Sequence, residues 1–426
     1  MTGMPQGGRV RSALKVDTMR AVDYWAGVPL CALSSLVLRL VRWLRPLPPP
    51  QAPRNVLLIE LSEMGSAILV DPAMEAMKAR GAQLHFVIFK HNKASLGLLN
   101  TVPADNIFCI RADGLVPLVV DTLRFLVWTR VRRIDTVLDL ELFSRFTALL
   151  AAWCGATRLV GFYRFHNEGL YRGEMLTDRV MYNPHVHITR NFFSLVHAAY
   201  AGRRDWPEAK IRTPEAEMVL KRAPVAAEGL ARVQERLRVR TGWDGTRPLV
   251  LLNANASDFL PQRRWPQDRF AALARRILEH RPDALVLLTG APAEREGLED
   301  LARQVADTRC VNFAGEVDFA DLVPLYHLGL VMVTNDSGPG HFASVTRMPS
   351  IVLFGPETPA LYGALANSEP VFAGLHCSPC VSAWNHRKTP CSEPQCLTAI
   401  GVDEVFVRVR RHLDAVPAGR ALPAES

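Results

Sequence analysis

Residues 328–359 read Leu-Gly-Leu-Val-Met-Val-Thr-Asn-Asp-Ser-Gly-Pro-Gly-His-Phe-Ala-Ser-Val-Thr-Arg-Met-Pro-Ser-Ile-Val-Leu-Phe-Gly-Pro-Glu-Thr-Pro. Residues 328–334 are short, apolar and rich in β-branched side chains, the pattern of a parallel strand buried on both faces. Residues 335–340 form a polar, glycine-rich turn, residues 341–346 a short helix, and residues 350–354 a second buried strand closed by Gly355-Pro356. The unit is strand, turn, helix, strand. Its turn lies at the carboxyl end of the first strand, where open α/β sheets bind their ligands. Glycines let a ligand approach the backbone, and the free N–H groups at a helix start attract phosphate oxygens. Asp336 does not suit a bare phosphate and more naturally orients the loop, a sugar hydroxyl or a lysine. An ordinary βαβ unit with a tight turn fits the same composition, so the residues alone leave both readings open.

The same alternation extends to both sides of this unit. Buried strands are predicted at 55–61, 84–89, 106–110 and 137–140, the last carrying Asp139 and Glu141 at its end, and then at 249–253, 284–289 and 310–313. Between the first two, Ser62-Glu63-Met64-Gly65-Ser66 turns into a helix predicted over 67–80. Strands alternating with helices predict a doubly wound α/β sheet. At 426 residues the chain has room for two such domains and an extension. Domains are expected at 54–225 and 226–426, preceded by an extension at 1–53.

The composition limits the class of partner. An apolar fraction of 49% belongs to a globular protein. A net charge of +8 suits an anionic partner, such as a nucleotide diphosphate, a phosphorylated saccharide or an anionic membrane. No nucleic-acid motif is visible, which ranks nucleic acid last. The first apolar run begins late and lacks a small-residue cleavage site, so no cleavable signal is expected and a cytoplasmic location is.

Residues 1–20 carry Arg9, Arg11, Lys15 and Arg20 and read as a loose basic arm. Residues 24–44 are apolar, but their uncharged part, 24–38, is short for a bilayer span and contains Pro29. Leu36, Leu38, Leu40, Val41 and Leu44 lie beside Arg39, Arg42 and Arg45, with Trp25 and Trp43 as interfacial aromatics. That is the make-up of an amphipathic helix lying in an anionic membrane surface. The alternative is a helix packed on the first domain with its arginines in water. Residues 46–53, rich in proline, read as a stiff linker isolating this element from the body. Arg130, Arg132 and Arg133 follow the apolar run 116–127 and suggest a second membrane-facing or acceptor-facing surface.

The pattern Asp336-Ser337-Gly338-x-x-His341-x-Ala343, followed by Pro349-x-x-x-Leu353-Phe354-Gly355-Pro356 and Pro359, resembles the donor-site signature of glycosyltransferase family 9, the heptosyltransferase-like family. The resemblance extends more weakly from about Asn55 to the C-terminus. It implies a GT-B fold of two Rossmann-like domains and a metal-independent inverting glycosyltransferase. The implied acceptor site lies in the first half and the nucleotide-sugar site in the second. The implied reaction moves a sugar, heptose from an ADP-sugar foremost, onto a lipid-linked saccharide such as lipopolysaccharide core, at the inner face of the cytoplasmic membrane. Another donor, in O-antigen or capsule synthesis, and an inactive membrane-associated nucleotide-sugar-binding protein are the alternatives.

By the same resemblance Asp336, Ser337, Gly338 and His341 would hold the donor loop. Arg263, within Arg263-Arg264-Trp265-Pro266, would contact donor phosphate, and Glu294 the donor ribose. The family places its general base, an aspartate, directly after the glycine of the first loop. Here that glycine is Gly65 and the next residue is Ser66, which cannot act as a base at neutral pH. Glu63, in the loop itself, is the preferred base, with Asp71 the other nearby carboxylate. Glu63 would otherwise only cap a helix start, and Ser66 would hydrogen-bond the acceptor or cap the helix.

Residues 162–191 are rich in aromatics, arginine and histidine and read as a saccharide-binding loop. His185 and His187 lack a third partner for a metal. Cys377-x-x-Cys380 and Cys391-x-x-x-x-Cys396 form two close pairs suited to a structural zinc ion or an iron–sulfur cluster. Reduced thiols fixing a compact loop, or two disulfides, are the other readings. The reaction itself is expected to require no cofactor.

Overall fold

The computed structural model describes residues 16–163, 171–201, 212–382, 385 and 387–417. Residues 1–15 of the expected basic arm and 164–170 of the expected saccharide loop lie outside them.

The chain builds two all-parallel sheets of the same topology. The first contains β1 (Asn55–Ile59), β2 (Gln83–Phe89), β3 (Ile107–Ile110), β4 (Thr136–Asp139), β5 (Arg158–Tyr163) and β6 (Asp178–Met181), in the order β3-β2-β1-β4-β5-β6. The second contains β7 (Leu249–Asn253), β8 (Leu285–Leu288), β9 (Cys310–Asn312), β10 (Val331–Asn335), β11 (Ser350–Phe354) and β12 (Ser368–Phe372), in the order β12-β11-β10-β7-β8-β9. Counted from its own first strand, each sheet reads 3-2-1-4-5-6. The direction of winding therefore reverses between β1 and β4 and again between β7 and β10, and such switch points are where α/β sheets bind ligands.

The strands are apolar on both faces because helices cover both. Val56 and Leu58 join one core, and Leu57 and Ile59 the other, on the opposite side of the same sheet. This is why the sequence shows continuous apolar runs rather than alternation. In chain order the helices are α1 (Val16–Trp25), α2 (Gly27–Leu44), α3 (Met64–Leu69), α4 (Asp71–Ala79), α5 (Leu115–Val131), α6 (Arg145–Trp153) and α7 (Ile188–Tyr200). They continue with α8 (Ala227–Thr241), α9 (Gln267–His280), α10 (Arg295–Val305), α11 (Leu322–Leu328), α12 (Gly338–Ala343), α13 (Pro359–Tyr362), α14 (Gln395–Thr398) and α15 (Val402–Asp414). The single helix expected over 67–80 is two, α3 and α4, with the joint at Val70.

The N-terminal extension is not isolated from the body, contrary to the expectation drawn from the prolines. The carboxylate of Asp23 accepts hydrogen bonds from the backbone N–H groups of Arg145 and Phe146, at 2.9 Å each, and pairs with the Arg145 guanidinium. The Trp153 indole donates to Ser34 at 3.0 Å, the Glu174 N–H to the Ser35 hydroxyl at 2.8 Å, and Arg42 to the Met175 carbonyl at 2.5 Å. The inner side of α2 carries Gly27, Cys31 and Ser34, residues small enough to let α6 approach. A Cβ on Gly27 would stand 2.8 Å from the Cβ of Arg145. Pro29 falls in the first turn of α2, where its missing N–H breaks no helical bond. Residues Thr18–Leu44 are long and apolar enough, by length and composition, to cross a membrane. The side of α2 away from α6 is apolar and open to solvent, including Leu33, Leu36, Leu40 and Trp43.

The expected saccharide loop is largely structural within its described residues. Arg172 is part-buried and ion-paired with buried Asp139, and the Phe162 and Tyr182 rings pack edge to face at 5.5 Å. His187 caps α7, accepting from the Thr189 N–H at 3.3 Å.

Candidate functional site

The two switch points face each other across the cleft between the sheets. On the second sheet, Asn335 ends β10 and acts as a staple for everything around it. Its side chain accepts from the Trp265 N–H at 2.9 Å and donates to the Ala254 and Asn255 carbonyls at 3.0 and 3.2 Å. Trp265 is fully buried, and its indole reaches the Ile400 carbonyl at 3.1 Å. These bonds fix the short turn that carries Arg263, whose guanidinium comes within 3.9 Å of the Asp336 carboxylate.

Asp336 is buried at the tip of the strand, held through its backbone N–H to the Leu353 carbonyl at 3.0 Å. Its Oδ2 has no hydrogen-bond partner among the described residues, nor have Arg263 Nε and His341 Nδ1. Three buried polar atoms left open in one place are unusual, because such atoms are nearly always paired. Burial pushes the Asp336 carboxyl up to about 7, helped by nearby Glu357 and opposed by Arg263 and Arg387. Burial, with His187 and Arg263 nearby, holds His341 down at about 4, so its ring is neutral at physiological pH. Ser337 sits between them as the residue before α12, its hydroxyl on the Asn335 carbonyl at 3.2 Å, and Gly338 begins the helix.

On the first sheet, residues 60–66 follow β1. Gly65 is where the two halves meet: a Cβ there would lie 2.7 Å from His341 Cδ2. The Ser66 hydroxyl donates to Glu63 Oε2 at 3.1 Å, so Ser66 serves the carboxylate rather than replacing it. Glu60 and Glu141 lie buried behind this loop, and burial raises both carboxyls. Glu141 accepts from the Leu61 N–H at 3.2 Å and the Ser62 hydroxyl at 2.9 Å, while Glu60 accepts from the Glu63 N–H at 3.3 Å. The loop is thus held from below by carboxyl groups. Asp71, the other carboxylate considered as base, is buried and bonded to the Thr101 hydroxyl, and burial raises it to about 6. Its environment is that of a structural residue.

A residue that the sequence reading missed joins the two sides. Arg387 pairs with Glu63 from the first half and with Glu357 from the second, the latter at 3.1 Å, and lies 4.5 Å over the Tyr362 ring. Its φ is 53°, in the left-handed region. Glu63 and Arg387 are 324 positions apart, so no local pattern could have linked them. Of the predicted site residues, Glu63, Ser66, Arg263, Asp336, Ser337, Gly338 and His341 come together. Glu294 is at the carboxyl end of β8 but folds back on its own turn, accepting from the Ala291 N–H at 2.7 Å.

Arg387 belongs to the segment that carries the clustered cysteines. Cys380, Cys391 and Cys396 lie close enough for their charges to interact, and all four thiols are free. Cys377, however, is exposed, and Cys380 hydrogen-bonds Thr389 at 3.6 Å. Among the described residues no three His, Cys, Asp or Glu side chains stand close enough to hold a metal ion. The segment leans on the donor side, where Gln262 donates to the Cys391 carbonyl at 2.8 Å.

Residues 126–389 match the family described as glycosyltransferase family 9 (heptosyltransferase). Lipooligosaccharide heptosyltransferase 2 of Haemophilus influenzae is 32% identical over 131 residues, covering 30% of this chain and 37% of the relative. Lipopolysaccharide heptosyltransferase 2 of Escherichia coli is 34% identical over 116 residues, 26% of this chain and 32% of the relative. The chain thus matches these curated relatives over about a third of their length. In three dimensions the likeness covers nearly all of each solved relative. The structure of E. coli ADP-heptose LPS heptosyltransferase II superposes with a TM-score of 0.64 at 19% identity, covering 85% of this chain and 99% of the other. A family 9 glycosyltransferase of Veillonella parvula gives 0.65 at 17% identity, covering 85% and 98%. At such identities these likenesses establish the two-domain fold.

Proposed function

The chain belongs to glycosyltransferase family 9, and on that premise we propose that it is an inverting glycosyltransferase taking heptose from an ADP-sugar to a lipid-linked saccharide such as lipopolysaccharide core. The observation carrying this reading is the meeting of the two loops across Gly65, which sets a cluster of open polar atoms (Asp336 Oδ2, His341 Nδ1 and Arg263 Nε) against the Glu63 side of the cleft. The acceptor hydroxyl attacks the anomeric carbon while the bond from that carbon to the diphosphate oxygen breaks. The hydroxyl proton passes to Glu63, and the electron pair leaves with the diphosphate. Ser66 holds Glu63 in place through its hydrogen bond. Arg263 offsets the charge of the leaving diphosphate, and neutral His341 offers a ring nitrogen to the donor. Glu294 would meet the ribose only by leaving its own turn.

A second reading is favoured by one contact. Glu63 Oε1 is paired with Arg387 in this state, as expected of an inactive nucleotide-sugar-binding protein that kept the donor loop. The two are separated by incubating the purified protein with ADP-heptose and a heptose-acceptor lipid. ADP release supports the transferase, and binding without release supports the binding protein.

The membrane is the proposed location of the acceptor. The open apolar side of α2, with Arg39 and Arg45 near its end, suits the cytoplasmic face of an anionic bilayer. Because α2 is docked on α6, adsorption there would hold the body close to the surface.

A further inference from the structure

Helix α5 exposes a second apolar stripe that neither the cleft nor the N-terminal helices explain. Val116, Val119, Val120, Leu123, Val127 and Val131 all point outward, and Val116 and Val131 are 74% and 72% exposed. Their spacing, close to three and four residues, places them on one side of the helix. The opposite side, with Phe125 and Thr129, is buried against the sheet. Soluble monomers rarely leave a contiguous apolar surface of this kind open.

The stripe lies on the same helical layer as the outward side of α2. Both α5 and α6 cover the same face of the first sheet, since Phe125, Leu150 and Ala151 share one core with Leu57 and Ile59. Helix α2 packs on the far flank of α6, through Cys31, Ala148 and Ala152. Trp153, at the end of α6, ties the layer together. Its carbonyl accepts from Arg130 of α5 at 3.0 Å and its indole donates to Ser34 of α2 at 3.0 Å. The order across the face is α5, α6, α2.

The charge on this layer has one sign. Neither α2 nor α6 contains an Asp or Glu, and the only carboxylate of α5, Asp121, is buried and held by Arg111 at 2.8 Å. Arg39 and Arg45 flank the stripe of α2, while Arg124, Arg130 and Arg133 flank that of α5. A second copy of this chain is a poor occupant, because a two-fold interface would set the same arginines against one another. An anionic lipid surface meets both features, apolar contact beneath and phosphate at the rim.

We propose that the outward stripe of α5 is a second lipid contact, so that α5, α6 and α2 lie together on an anionic bilayer. This rests on the membrane reading given above and extends it to a part of the body that carries the cleft. Both α5 and α6 start just beyond the carboxyl ends of their strands, at the level of residues 60–66. An acceptor whose lipid stays in the bilayer would therefore approach the loop of Glu63 from this side.

The test uses the full chain and vesicles of phosphatidylcholine with and without phosphatidylglycerol. Val119→Ser, Leu123→Gln and Val127→Ser are combined in one variant. All three positions are exposed, so melting temperature and ADP affinity should match the parent. Partitioning into the anionic vesicles should fall about tenfold or more, since each methylene withdrawn from the lipid counts. Parent-like partitioning in that variant overturns the proposal, as does a parent that ignores anionic vesicles. A parent dimer that the variant dissolves, with vesicle binding unchanged, assigns the face to a second copy instead. Failure of the transferase reading looks different: a parent that binds no ADP yet partitions into vesicles leaves the lipid face standing.

Discussion

The two sheets share one strand order, and their switch points hold opposite chemistry. Between β1 and β4 the chain gathers Glu60, Glu63, Asp139 and Glu141, while between β7 and β10 it gathers Asn253, Asn335 and Asp336 with Arg263 alongside. On the first side the carboxyl groups shape a loop and present one of their number, Glu63, to the cleft. On the second, an asparagine staple fixes the turn and leaves Asp336 Oδ2 and His341 Nδ1 open beside the Arg263 guanidinium. On the proposed reading, the same topology supplies a proton acceptor on one side and an anion site on the other. Fold alone does not decide which is which; the side chains do.

The sharpest way to break this division is to neutralise the first side. Glu63→Gln should lower turnover by roughly 10²–10⁴-fold with donor affinity unchanged, the loss expected for a general base. Parent-like turnover would remove Glu63 from the mechanism. On the second side, Arg263→Ala should weaken ADP binding by about 1.5–3 kcal/mol, the range for a hydrogen bond to a charged group. Calorimetry showing an unchanged affinity would take the phosphate role from Arg263. At the seam, Gly65→Ala would drive a Cβ into the His341 ring. A loss of roughly 1–3 kcal/mol in urea unfolding is expected from such overpacking, and an unaffected midpoint would mean the halves meet elsewhere.

Stability against pH separates two residues of the donor loop. Asp336 is raised to about 7 from an ordinary 3.8, so the folded state keeps a proton that the unfolded state has lost. Its contribution is full below about 3.8 and disappears as pH rises through 7. His341 is lowered to about 4 from 6.5, so the unfolded state binds the extra proton and stability is lost as pH falls through that window. The two slopes oppose each other, each approaching about 1.4 kcal/mol per pH unit at most. Between pH 4.5 and 6, Asp336→Asn should therefore gain stability with rising pH relative to the parent, and His341→Gln should lose it. Slopes of the same sign in both variants would contradict the assigned environments. The smallest effect belongs to Ser66→Ala, which removes one hydrogen bond to Glu63 and should cost less than about tenfold in turnover. A loss as large as that of Glu63→Gln would make Ser66 more than a support.

Much of the second side was legible in the sequence because its signals are local. Residues 249–253 and 350–354 were predicted with the observed boundaries, each an apolar run ended by an asparagine or a glycine. Asp336, Ser337, Gly338 and His341 follow directly on β10, the strand that presents them. The first side was less legible. β5 and β6 carry Arg158 and Asp178, buried as an ion pair, and part-buried Arg172 beside them pairs with buried Asp139. Buried charge resembles an exposed loop when only composition is read. Arg387 could not be found at all, since its partners come from residues 63 and 357. Docking of α2 on the first domain was one of two readings left open, and the choice between them was hidden for a similar reason. Small residues on its inner side mark a close helix contact only when the partner helix is known.

The most direct measurement compares ADP binding and ADP release in the parent and in Glu63→Gln, with ADP-heptose and a lipid-linked acceptor. The account predicts equal ADP affinity in the two proteins, release of ADP by the parent, and almost none by the variant. Release by both at the same rate, or no ADP binding by the parent, would contradict it.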